Sequence, residues 1–195
     1  MAGVAGPMLR RSVPRGARFL TGLLAGGLLA SLLLALVVDT LGGAVALLLP
    51  DAWRRAAAVL LLLALAAADL ADRTPHVWRQ VPQALVRSLP PGRLGLVWGF
   101  DLSLLFTTQK STSLTWAGLA GTLLLAPQAA WVVLPAMTLT GLLAITGRSV
   151  HYARSGPARR GDRGRPWHAR LRRLAGCGLL ALAVAVGATT ALGGA

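Results

Sequence analysis

Seven consecutive polar residues interrupt a stretch, Leu94 to Ala126, that is apolar at both ends, and they include the only lysine of the chain. Hydroxyl and amide groups can replace the hydration shell of an ion or a polar solute. The same groups can also satisfy backbone at a kink or hydrogen-bond between helices. The run is the first candidate for a binding site inside a membrane, and its members are Thr107, Thr108, Gln109, Lys110, Ser111, Thr112 and Ser113.

Two carboxylates, Asp39 and Asp101, lie deeper in apolar sequence than the other acidic residues. A charge at the centre of a bilayer costs at least about 2.5 kcal/mol, so such a residue usually faces a cavity or a partner. Together with Thr40, they complete a predicted site that binds or conducts a small solute or a proton. Alternatively, Asp101 lies near the membrane interface or pairs with an arginine.

The chain that must position these residues has membrane-protein composition: 55% of its 195 residues are hydrophobic and only six are acidic. We predict an all-α polytopic membrane protein. The 33 residues from Leu94 to Ala126 would form a straight helix of about 50 Å, whereas a bilayer core is about 30 Å thick. The segment must therefore bend or break, and Asp39, Thr40, Gly42 and Gly43 predict a second break.

Counting each broken segment as one passage gives five membrane passages, or six if either forms two. The predicted parts are a basic leader (1–18), a helical membrane domain (19–146), an Arg-rich loop (147–173) and a final membrane helix (174–195). The membrane domain divides into two halves, 19–72 and 94–146, around a loop at 73–93. Each half closes on a similar sequence, Pro50 to Trp53 and Pro127 to Trp131. Repeats with interrupted helices are typical of secondary transporters.

The net charge of +14 is concentrated beside the apolar segments. Nine of the twenty basic residues lie between Arg148 and Arg173, four between Arg10 and Arg18, and four between Arg73 and Arg93. This is the positive-inside pattern, which predicts a cytoplasmic N-terminus in the cell (inner) membrane and disfavours nucleic-acid binding. The expected partners are the bilayer and anionic lipid headgroups at the Arg-rich loops, with a protein partner or a second copy left open.

Few residues of the chain suit enzyme chemistry. Cys177 is the only cysteine, and His76, His151 and His168 lack metal-ligand spacing. No catalytic arrangement or nucleotide-binding loop is visible in the sequence. We therefore expect no enzyme activity, no cofactor and no metal.

One stretch, Gly95-Leu96-Val97-Trp98-Gly99-Phe100, is followed by Thr108-Gln109 and a second apolar helix. This arrangement resembles the transmembrane thiol-electron carriers of the CcdA/DsbD cytochrome c biogenesis family. In that family two three-helix repeats each break their first helix at a Pro-Cys pair, and the two cysteines pass reducing equivalents to thioredoxin-like partners. Thr108-Gln109 and Asp39-Thr40 stand where those pairs are expected. The resemblance therefore implies the fold without the redox activity.

Two functions follow from the sequence. The leading one is a transporter-like membrane protein with a polar centre for a small solute or proton. The alternative is a non-catalytic membrane scaffold or assembly factor, in the envelope redox or cytochrome-maturation setting that the resemblance suggests.

Overall fold

The computed structural model describes residues 2–75, 88–104, 112–155 and 164–192, and most of the residues in these ranges are helical. Three stretches are long and apolar enough to cross a bilayer: Val13–Leu48, Pro127–Ser155 and Ala169–Thr189. The all-α class is confirmed and a membrane protein is supported, but five passages are not confirmed. The helices are α1 (Ala2–Arg11), α2 (Val13–Leu48), α3 (Asp51–Leu70), α4 (Pro91–Ser103), α5 (Leu114–Leu125), a 3-10 turn (Pro127–Ala129), α6 (Ala130–Ser155) and α7 (Gly164–Leu192).

The helices fall into two compact units, each drawn from three separate stretches of chain. Unit 1 comprises Met1–Leu34, Val77–Thr108 and Pro135–Asp162. Unit 2 comprises Ala35–His76, Gln109–Leu134 and Arg163–Ala195. Helices α2 and α6 contribute residues to both.

Unit 1 is built on a close contact between the backbones of α2 and α4. A Cβ atom added at Gly95 or Gly99 of α4 would overlap the carbonyl oxygen of Phe19 or Leu23 in α2. The relation is reciprocal, because Gly22 and Gly26 of α2 lie against the carbonyl oxygens of Gly92 and Leu96 in α4. Both helices thus carry glycines four residues apart, the spacing that lets helices in membranes approach closely. The numbers of the contacting residues increase in the same direction along α2 and α4, so the two helices run parallel.

The remaining contacts of unit 1 join its core to α1 and α6. Phe19 and Trp98 pack edge to face with ring centroids 5.9 Å apart, in a cluster that includes Leu142 of α6. Arg10 of α1 donates from Nε to the carbonyl of Ala153 and from Nη2 to that of Tyr152, both at 3.0 Å. These carbonyls belong to the last turn of α6, where a cation also complements the helix dipole.

Unit 2 is organised around α3, which packs against α7 and α5. Leu62, Leu65 and Ala66 of α3 form an apolar cluster with Ala117 of α5 and with Leu179 and Ala183 of α7. Gly176 lies against Leu70 and the Ala66 carbonyl, and Arg172 pairs with Asp72 at 2.5 Å. Residue numbers on α7 rise as those on α3 fall, so these two helices are antiparallel.

Helix α3 ends at Leu70, and Asp69, Asp72 and Arg73 lie at or just beyond its last turn. The N–H of Arg73 donates to the Ala68 carbonyl (2.8 Å) and that of Asp72 to the Asp69 carbonyl (3.3 Å). This is a Schellman motif, whose left-handed residue is usually glycine. Asp72 takes that position with φ 61°, a conformation that aspartate tolerates better than most residues.

One of the two predicted breaks is present and the other is wrong. Between Leu94 and Ala126, α4 ends at Ser103 and α5 begins at Leu114, so this segment does break. By contrast, α2 continues without interruption through Asp39, Thr40, Gly42 and Gly43. Each glycine costs a helix only about 1 kcal/mol relative to alanine, and surrounding apolar residues offset that cost. The two halves therefore do not share interrupted helices.

Much of the predicted Arg-rich loop at 147–173 lies within helices. Helix α6 continues to Ser155 and α7 begins at Gly164. Arginine and alanine are good helix formers, and arginine can lay its apolar stem along a helix while its charge stays in water. The predicted basic leader, 1–18, is likewise helical in α1 and in the first turns of α2.

The glycine contact in unit 1 leads to a stability prediction. Gly95→Ala and Gly99→Ala should each lower the free energy of unfolding by about 1–3 kcal/mol, because the new methyl group forces the two backbones apart. Equilibrium unfolding in mixed micelles, followed by circular dichroism, measures the change.

Gly141 of α6 provides the matched control in the same unit, since nothing lies within 4 Å of a Cβ built there. Gly141→Ala should leave stability unchanged or raise it by up to about 1 kcal/mol through helix propensity. Equal losses at Gly99 and Gly141 would contradict the close contact.

Candidate functional site

The carboxylate of Asp69 is a buried polar group with several hydrogen bonds; this residue is 2% exposed in the last turn of α3. Its Oδ1 accepts hydrogen bonds from the hydroxyls of Thr74 and Ser113, both at 2.7 Å. The backbone N–H of Ser113 donates to Oδ2 at 2.8 Å and to Oδ1 at 3.1 Å. Thr74 and Ser113 are also buried. This carboxylate therefore joins the end of α3 to the residue that precedes α5.

The opposite end of α5 is bonded by the opposite end of α3. Arg54 donates from Nη1 to the carbonyl of Leu124 at 3.1 Å, in the last turn of α5. Its Nη2 contacts Oδ1 of Asp51 at 2.7 Å, and Arg55 contacts the other oxygen of the same carboxylate at 2.5 Å. Asp51 thus holds the guanidinium of Arg54 in position for its hydrogen bond to Leu124.

Lengths and charges explain why α3 can bond both ends of α5. Arg54 and Asp69 lie 15 positions apart on α3, about 22 Å, and the 12 residues of antiparallel α5 are about 18 Å long. The acid meets the N-terminus of α5 and the base meets its C-terminus, as the helix dipole favours. Ser113 makes no side-chain cap of its own for α5. We name this pair of contacts the α3 clamp.

Asp39 and Thr40, which the sequence places in the candidate site, have separate partners. Asp39 is half-buried, and its Oδ2 accepts a hydrogen bond from Nε1 of Trp131 at 3.0 Å. Thr40 is exposed and donates within its own helix, to the carbonyls of Leu36 and Val37. A tryptophan that bonds through its indole N–H is typical of a membrane interface.

The other predicted site residues divide between the two units. Asp101 lies half-buried in the last turn of α4, in unit 1, and takes part in an interaction of its own. Thr112 is half-buried, and its neighbour Ser113 belongs to the α3 clamp. Five predicted members lie outside the described residues: Thr107, Thr108, Gln109, Lys110 and Ser111. Within unit 2, Asp39, Thr40 and Ser113 thus each bond to a different partner.

Asp69 is not among the site residues that the sequence predicts, although it is buried. A signal was available in the spacing along α3. Steps of four or three residues lead from Arg54 through Ala58, Leu62 and Leu65 to Asp69, and such steps stay on one helix face. The three apolar members are buried. A stripe that faces the core and has a charge at each end predicts that both charges have buried partners.

The site is suited to joining helices. Each Asp69 oxygen accepts hydrogen bonds, and the carboxylate is buried among them. In the described parts of the chain no three His, Cys, Asp or Glu side chains gather in a way that could bind a metal ion. Cys177 is exposed and forms no disulfide.

Comparisons with known protein families, with curated proteins and with solved structures each find no match to this chain. The resemblance to the CcdA/DsbD family stays a prediction. The stretch that carries it has a packing role in this fold, because Gly95 and Gly99 form the α2 contact and Trp98 packs on Phe19.

The α3 clamp leads to a second stability prediction. Asp69→Asn should lower the free energy of unfolding by about 1–3 kcal/mol, because charge-assisted hydrogen bonds are lost and an amide N–H₂ then faces donors. A double-mutant cycle with Ser113→Ala should show strong coupling, since both changes weaken the contact between the Ser113 hydroxyl and the side chain of residue 69.

Asp72→Asn is the matched control, one turn of chain away and exposed. It removes only the ion pair with Arg172, and asparagine tolerates the left-handed backbone, so a loss below about 1 kcal/mol is expected. If the two substitutions cost the same, or if Asp69 and Ser113 contribute independently, the clamp is not a stabilising contact.

Proposed function

We propose that this chain is a non-catalytic membrane scaffold or assembly factor whose intramembrane polar residues join helices. The observation that carries the proposal is the separation of the described polar contacts. Asp39 bonds to Trp131, Thr40 to its own helix and Ser113 to Asp69. A solute site needs polar groups that converge on one space. The resemblance noted in the sequence would give such a scaffold a place in envelope redox or cytochrome maturation.

A transporter with a polar centre for a small solute or proton is the second candidate, favoured by one observation. Helix α4 ends at Ser103 and α5 begins at Leu114, on either side of the polar run that contains Lys110. Pairs of short helices on either side of a break are common at the substrate sites of secondary transporters.

The orientation of the scaffold follows from a basic end of unit 1. Because α2 and α4 run parallel and Arg10 reaches the last turn of α6, the starts of α2 and α4 lie at the same end as the finish of α6. The described residues of this end include no acidic side chain. Its exposed arginines are Arg10, Arg11, Arg15, Arg18, Arg93, Arg148 and Arg154.

Such an end suits the anionic headgroups of a cytoplasmic leaflet, where each basic residue near the surface contributes about 1 kcal/mol. The positive-inside rule gives the same orientation. We therefore propose a cell-membrane protein with a cytoplasmic N-terminus, anchored by this basic end.

Flux through proteoliposomes distinguishes the two candidate functions. We expect vesicles that contain the purified chain to take up protons, under an imposed pH gradient, no faster than protein-free vesicles. Asp39→Asn, Asp101→Asn and Lys110→Ala should leave that rate unchanged. A flux that the native chain supports and one of these substitutions abolishes would establish transport and overturn the scaffold.

The orientation is tested by single cysteines in a Cys177→Ser background. Ser12→Cys lies between α1 and α2, and Leu49→Cys lies between α2 and α3. A membrane-impermeant maleimide added to intact cells should label Leu49→Cys at once and Ser12→Cys only after permeabilisation. The Cys177→Ser chain sets the background, and the reverse labelling pattern would invert the topology.

A further inference from the structure

An apolar groove runs between α3 and α5 in unit 2. Its α5 wall consists of residues at spacings of three and four, which share one helix face, and two leucines one turn apart form its α3 wall. The groove has a volume of about 370 Å³ and is open on one side. Residues that line it include Leu61, Leu65, Pro75, Trp116, Leu119 and Leu123.

The lining of the groove favours a hydrocarbon occupant. Its side chains are apolar, and the indole N–H of Trp116 donates to the carbonyl of Pro75 at 3.0 Å. A water molecule needs two to four polar partners, which this surface does not supply. An apolar cavity of about 150 Å³ accepts a benzene-sized molecule, so this larger groove has room for a segment of alkyl chain.

The surroundings indicate where that alkyl chain comes from. Unit 2 contains α7, which is long and apolar enough to cross a bilayer, so membrane lipid is the most abundant source of hydrocarbon around it. From Leu123 to Trp116 the groove extends about 11 Å along α5. One acyl chain of a lipid from the surrounding bilayer would fit the length and the apolar lining of this groove.

Charge at one end of the groove selects the headgroup. Arg73 is exposed two residues before Pro75. Arg172, which pairs with Asp72, places the α7 segment that also carries the exposed Arg170 and Arg173 at this end of α3. Asp72 is the only exposed acid in the described residues of this end. An anionic phosphate is therefore complementary to it.

We propose that the groove between α3 and α5 binds one acyl chain of an anionic phospholipid, with the phosphate beside Arg73. This site is separate from the basic end of unit 1 and holds for either candidate function. The lipid would cover the open side of the α3 and α5 pair, whose two ends the α3 clamp secures.

Photocrosslinking tests the proposal on the full chain in phosphatidylcholine vesicles. The probe is phosphatidylglycerol, present in trace amounts and carrying a diazirine in mid-chain, with crosslinks located by mass spectrometry. We expect crosslinks on Leu119, Leu123 and Leu61. A phosphatidylcholine probe should label these residues about fivefold less, the ratio expected from one arginine near the phosphate, and Arg73→Gln should remove the difference. Equal labelling by both probes in the native chain would overturn the proposal.

A filled groove provides the matched comparison. Ala120→Phe should abolish crosslinks in the groove, because Ala120 lines it. Ala67→Phe, the same substitution at an exposed position of α3, should leave them unchanged. The site would be refuted if groove crosslinks persisted in Ala120→Phe. It would also be refuted if the native chain gave no groove crosslinks because the chain itself closes the groove.

Competition keeps the test decisive if Ala120→Phe does not fold. In the native chain, excess unlabelled phosphatidylglycerol should suppress crosslinks in the groove more strongly than those on Leu36, which is 47% exposed on α2 and reports contact with bulk lipid. A parallel decline at both places would mean that the groove has no preference for this lipid, and would overturn the proposal.

Discussion

A short helix in an apolar environment must have its end groups satisfied by protein, because no water is there to satisfy them. Helix α5 has 12 residues, too few to bring both its ends to the two surfaces of a bilayer core about 30 Å thick. Helix α3 meets this constraint by supplying an acid to one end of α5 and a base to the other. The apolar contacts of unit 2 between these helices depend on that alignment. Arg10 does the same for the last turn of α6 in unit 1.

The sequence predicts those features of the fold that depend on composition and on chain length. The all-α class, the interruption between Leu94 and Ala126 and the end of α3 near Asp69 all follow from apolar runs and their polar limits. Each of these is a local property, readable from neighbouring residues. The positions of Asp72 and Arg73 just beyond α3 belong to the same group.

Features that depend on tertiary contacts are less accessible to sequence reasoning. Asp39 and Thr40 predict a break in α2, yet α2 is continuous. Asp39 accepts a hydrogen bond from Trp131, and the Thr40 hydroxyl donates within the helix. The segment 147–173 reads as a loop because of its charge, although arginine is compatible with helix. Gly95 and Gly99 belong to the stretch that resembles a family pattern in the sequence. In the fold, the carbonyl oxygens of α2 approach α4 at these two glycines. Which glycines face a neighbour and which, like Gly141, face open space cannot be read from their spacing alone.

The α3 clamp also has a consequence for biosynthesis. Asp69 leaves the ribosome 44 residues before Ser113, the donor that reaches it from α5. At a synthesis rate of about 5–20 residues per second, this interval lasts about 2–9 s. During that time the carboxylate lacks its long-range partner, and water is the best available substitute. The order of synthesis therefore favours a nascent chain whose Asp69 stays hydrated until α5 has emerged.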